Sequence, residues 1–94
     1  MNNSLIGNPR QKQDYQLEVL EEEVLLFHPN STEILHFNPS ASLVWQLCTG
    51  DYSAAEIKAL LIEAYPEAAE EIPTDVDTIL TQFLEHQVIE FVEG

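Results

Sequence analysis

The chain has 94 residues, 45% of them hydrophobic, and sets 3 basic residues against 17 acidic ones for a formal net charge of −14. That size fits one domain with its own core. A single cysteine, Cys48, excludes an internal disulfide and suits a reducing compartment. No segment reaches the roughly 18 apolar residues that span a bilayer, and the start, MNNSLIGNPRQKQ, lacks the apolar run of a signal peptide. The expectation is a soluble, cytoplasmic protein. Arg10 and Lys12 both fall in the first dozen residues, so residues 13–94 carry Lys58 alone against all 17 acids. A field of that sign repels phosphate backbones and anionic membranes and favours basic peptides or basic protein surfaces. It also keeps a protein in solution.

Residues 1–13 are polar, contain Gly7 and Pro9 and show no periodicity, so they read as a flexible arm ahead of a folded domain over 14–94. From Gln16 the pattern changes. Leu17 and Val19, then Val24 to Phe27 beyond the acidic Glu21–Glu23, form two short β-prone runs. HPNST at 28–32 is a turn, and Glu33–Phe37 makes a third strand, so residues 16–37 read as a three-stranded antiparallel meander.

Asn38 suits an N-cap and Pro39 the first position of a helix whose apolar residues Ala41, Val44, Trp45 and Cys48 share one face, with Gly50 closing it. Ser53 to Glu56 is a capping box opening a second helix with a stripe of Ile57, Leu60, Leu61 and Ala64, ended by Pro66. Glu67–Pro73 reads as an acidic loop or frayed turn. Thr74 caps a third helix, with Asp75 and Asp77 near its positive end and Val76, Ile79, Leu80, Phe83 and Leu84 as its buried stripe. Val88–Val92 is a short β-like run that returns as a wing. The sum is an α+β domain of order βββααα with a short C-terminal β segment, its helical part winged helix-turn-helix-like.

The residues that carry chemistry do not converge. His28 sits in a turn, His36 on the third strand and His86 near the end of the third helix, with no HxxxH, HExxH, CxxC or CxxH spacing among them. Cys48, on the apolar face of the first helix, reads as a small buried hydrophobe. Neither catalytic residue, metal nor cofactor follows. DNA reading by the third helix is excluded in the same way: its outward residues Asp75, Asp77, Thr78, Thr81, Gln82, Glu85 and His86 include no Arg or Lys for phosphate or guanine. What remains is protein or peptide recognition, for which an open edge of the meander can accept an extended segment as an added strand; many such edges are instead covered or blunted by charge.

Phe37, Asn38, Pro39, Ser40 and Ala41, then Trp45, Leu47 and Gly50, followed by Glu56-Ile57, resemble the "LNxTGxxxWxLxDGxxxxxEI" pattern of the PqqD-like family. The ending Leu84–Glu90, LEHQVIE, is similar to that family's "LxxxGLIE" close, and the resemblance covers residues 9–91. Phe37 stands for leucine, Ala41 for glycine, Cys48-Thr49 where an acid often precedes the glycine, and Gln87 for the glycine before the last strand. Members are recognition elements of ribosomally made, post-translationally modified peptides (RiPPs). The resemblance therefore implies a non-catalytic domain that binds the leader of a precursor peptide and presents it to a modifying enzyme, often a radical S-adenosylmethionine protein. It implies a leader antiparallel to the third strand, with Glu33, Ile34, Leu35, His36 and Phe37 for pairing and Leu80, Thr81 and Leu84 as a helical wall. Asp75 and Asp77 would attract leader Lys or Arg, and Trp45 and Phe83 are read as core. A monomer or a weak edge-paired dimer is expected. The alternative is a small acidic accessory subunit that stabilises a partner enzyme without touching a leader.

Overall fold

The computed structural model describes residues 7–93. Along it run β1 (Asn8–Gln11), β2 (Gln16–Val19), β3 (Val24–Phe27), β4 (Ile34–Phe37), α1 (Ser40–Leu47), α2 (Ala54–Ala64), a 3-10 turn (Pro66–Ala68), α3 (Ile72–Glu85) and β5 (Ile89–Val92). The α+β order, an antiparallel meander followed by three helices, is the one read from the sequence. The meander β2-β3-β4 has the register Leu17↔Leu26↔Leu35 and Val19↔Val24↔Phe37 on one face. Val24 and Leu26 are fully buried there, and Leu17, Leu35 and Phe37 pack onto the same core from the flanking strands. Alternation with period two sends Leu25, Phe27, Ile34 and His36 to the other face. The reversal after β3 follows its residues: the backbone N–H of Asn30 donates to His28 Nδ1 at 3.0 Å and that of Ser31 to the His28 carbonyl at 2.9 Å.

Residues 8–11 correct the flexible-arm reading, whose residues 1–6 lie outside the described ones. They form β1, paired antiparallel with β5 from Asn8↔Val92 to Gln11↔Ile89. The C-terminal run is a strand, as expected, and its partner is β1 rather than the meander. Polar side chains conceal this strand because its work is hydrogen bonding. Asn8 Nδ2 donates to the Gly50 carbonyl at 3.0 Å, and Gln11 Nε2 to the Trp45 carbonyl at 2.7 Å. Gln11 N–H donates to the Cys48 carbonyl, Gly50 N–H to the Pro9 carbonyl and Lys12 N–H to the Val88 carbonyl, all at 2.9–3.0 Å. β1 thereby satisfies the Cys48 carbonyl just past α1 and gives the Trp45 carbonyl a second donor beside Cys48 N–H. Gly50 holds φ +92°, and a Cβ there would meet Arg10 Cδ at 3.3 Å.

The helices bury one stripe each. Ala41, Val44 and Trp45 of α1 and the following Cys48 are buried as expected. The Asn38 side chain, however, makes no cap; its carbonyl accepts from Ala41 N–H, and Ser42 Oγ donates to the Pro39 carbonyl at 2.9 Å. The Ser53–Glu56 capping box is present in both directions, at 2.8 and 3.1 Å. In α2, Ile57 is fully buried, but Leu60 and Ala64 face outward, because the helix leans on its neighbours along Ala54, Ile57 and Leu61. α3 begins at Ile72, two residues before the expected Thr74 cap, with Pro73 in its first turn. A proline lacks the N–H that an N-terminal position cannot use, so the helix starts around it. Phe83 is fully buried between Phe37, ring centroids 5.0 Å apart, and Trp45, 5.4 Å apart, both edge-to-face.

Two outcomes follow. Deleting residues 1–12 removes the β1–β5 ladder and the five further hydrogen bonds of residues 8–12, worth about 1 kcal/mol each, so urea unfolding should show a loss of at least about 5 kcal/mol; an unchanged midpoint would show that β1 contributes nothing. Gln87 stands at φ 62°, where a side chain costs about 1 kcal/mol. Gln87→Gly should therefore raise Tm by about 4 °C, as read by differential scanning calorimetry.

Candidate functional site

The sheet order β2-β3-β4 leaves β4 bonded to β3 on one side only. Its other side presents main-chain N–H and C=O groups to any extended segment that lies beside it. Ile34 is 51% exposed and Glu33 and His36 are exposed, while Leu35 and Phe37 are half-buried against the core. His36 Nδ1 lies 3.0 Å from Glu23 Oε2 on the outer face, tying the strand to the β2–β3 turn. Phe37 joins this edge to α3, edge-to-face with Phe83 and with His86 at 6.4 Å.

α3 has two flanks on either side of its buried stripe. Asp77 Oδ1 is 2.9 Å from Lys58 Nζ of α2. Thr81 and Leu84, four and seven residues on, share that flank with Asp77. Leu80 is fully buried under the stripe and offers no open surface. The opposite flank carries Asp75, Ile79, Gln82 and His86, again spaced by four, three and four. His86 touches Phe37, and Asp75 and Ile79 line a cavity of about 330 Å³ together with Pro39 and Ser40, the residues that lead out of β4. Gln82 and His86 were read from the sequence only as outward residues of α3; a helical stripe shows what is buried but not which side meets a given strand.

The histidines and Cys48 form no shared cluster among the described residues. Among the described residues, no group of three His, Cys, Asp or Glu side chains is placed to hold a metal ion, and no helix is long and apolar enough to cross a membrane. Burial pushes the Cys48 thiol up from 9.0 to about 12. His28 packs edge-to-face on Tyr15 at 5.2 Å, away from His36 and His86.

Residues 23–89 match the family model of the coenzyme PQQ synthesis protein D, PqqD. The chain belongs to the PqqD family. The match spans β3 to the start of β5 and so includes β4 and the whole of α3. No curated protein matches this PqqD-family chain. Among solved structures, the heterocyclase TruD is similar, with TM-score 0.61 and 16% identity over 90% of this chain. The PqqD-family domain spans 11% of that chain's length, and the likeness is one of fold.

Because the folded thiol keeps its proton to about pH 12, Cys48 should resist a thiol-labelling reagent at pH 8 until denaturant unfolds the chain; stoichiometric labelling of the native protein would contradict its burial. The sign for stability is set by the same shift. The contribution is intact below the unfolded value of 9.0 and declines as pH rises toward 12, and Cys48→Ala should remove that part of the alkaline slope.

Proposed function

We propose that this domain binds the leader segment of a ribosomal precursor peptide by strand addition to β4 and presents it to a modifying enzyme, without catalysing a step itself. The observation that carries this reading is that, among the described residues, β4 is paired on one side only, with His86 at the end of α3 against its Phe37, within the part of the chain that matches PqqD. The leader runs antiparallel to β4, bonds to the main chain of Glu33 to Phe37 and sets apolar side chains against Ile34, Phe37 and His86. Leu80 lies beneath as support, and Asp77, Thr81 and Leu84 lie outside the groove. A few main-chain bonds and two or three apolar anchors give a Kd near 1 μM, about −8 kcal/mol.

The modifying enzyme, in this reading a radical S-adenosylmethionine protein, meets the acidic body through basic surface. The occurrence of the fold within a heterocyclase chain accords with a domain that works beside an enzyme. The setting is the cytoplasm and the protein a monomer or weak dimer. The net charge of −14 also supports a second reading, an acidic subunit that stabilises a partner enzyme and binds no leader.

Ile34→Asp separates the two. Ile34 is half exposed, so the variant should keep its circular dichroism, yet bind the leader encoded beside its gene at least tenfold more weakly, about 1.4 kcal/mol. Thr81→Ala, on the far flank, should bind as the parent does. In an NMR titration, shifts should gather at residues 33–37 and on Ile79, Gln82 and His86. Unmoved spectra at millimolar peptide would leave the accessory-subunit reading in its place.

A further inference from the structure

The cavity of about 330 Å³ lies between α1, the end of α2, the 3-10 turn and the start of α3. Its floor is apolar, with Leu43, Leu61 and Ile72, and its wall includes Tyr65. Glu67, Glu71 and Asp75 line it as well. These three follow one another at intervals of four, and all three are exposed. The chain's own cations are committed elsewhere: Lys58 pairs with Asp77 on the opposite flank of α3, Arg10 with Glu90 between β1 and β5, and Lys12 follows β1. An apolar floor, an aromatic side chain and uncompensated carboxylates match one kind of occupant, a long aliphatic stem with a cationic head.

We infer that this cavity is a side-chain subsite for a Lys or Arg of the bound peptide, on the N-terminal side of the segment that lies along β4. The position along the peptide rests on the strand-addition reading. A peptide antiparallel to β4 pairs its later residues near Ile34 and its earlier ones near Phe37. Beyond Phe37 the chain turns through Asn38 into Pro39 and Ser40, which line the cavity, so the peptide residues preceding the paired segment pass over its mouth. The stem packs on Leu43, Leu61 and Ile72, and the head meets Tyr65, Glu71 and Asp75.

The chemistry of the cavity is tested without any peptide, by NMR titration with isopentylammonium, isopentanol and isovalerate at low salt. The ammonium should shift Ser40, Leu61, Glu71 and Asp75 with a Kd at least fivefold below that of the alcohol, and isovalerate should shift none of them. Glu71→Gln/Asp75→Asn should abolish the preference. Equal binding of all three probes, or of none, overturns the subsite. Its place along the peptide is tested with capped Val-Thr-Val-Thr-Val carrying Lys-Gly at its N-terminus or Gly-Lys at its C-terminus. The N-terminal lysine should tighten binding about fivefold, shift Asp75 and lose its advantage in the double variant; a gain from the C-terminal lysine instead overturns the assigned direction. An ammonium-selective cavity in a protein whose β4 resonances neither peptide moves would keep the cation subsite and remove the strand-addition reading.

Discussion

The contact on which the architecture rests is Phe83 held edge-to-face between Phe37 and Trp45. The three rings come from α3, from the end of β4 and from α1, so one buried cluster fixes the distance between the edge strand and the helix beside it. Edge-to-face aromatic pairs favour a particular orientation as well as burial, and that orientation sets the angle of the groove. Phe37 belongs at once to the core and to the rim, since His86 meets its ring from the groove side. The edge strand is therefore anchored in the core through Phe37.

Charge is arranged around this frame with a consistent logic. Two of the three cations bind locally: Lys58 draws α2 to α3 through Asp77, and Arg10 ties β1 to β5 through Glu90. Both pairs are substantially exposed and contribute little to stability. Their consequence lies in what they leave behind, because Glu67, Glu71 and Asp75 on the other side of α3 have no cation partner among the described residues. Three unpaired carboxylates thus gather at the cavity that Pro39 and Ser40, just past β4, also line.

Much of this was legible before any coordinates. The meander over 16–37 announced itself through β-prone runs and turn residues, and the Ser53–Glu56 box through its side chains, because those signals are local. What escaped notice depended on tertiary partners. β1 has the composition of a loop, and its pairing with β5, together with the bonds it makes to the end of α1, makes a strand of it. Thr74 and Asn38 were read as caps from residue type, whereas α3 begins around Pro73 and α1 takes only the backbone carbonyls of Asn38 and Pro39. The stripe of α3 was visible, yet the choice between its flanks required the handedness with which the helix lies against the sheet. On that choice rests whether the proposed groove is walled by Thr81 and Leu84 or by Gln82 and His86.

The pairing of Asn8 with Val92 brings the entry and exit of the described chain to one spot, beside the α1–α2 connection and away from β4. A domain entered and left at neighbouring points can be spliced into a surface loop of a longer protein without stretching either polypeptide. The same closure sets the modularity of the fold. Its first and last strands fasten each other, so the groove can travel as a unit, either as a body of its own or as a small fraction of a larger chain.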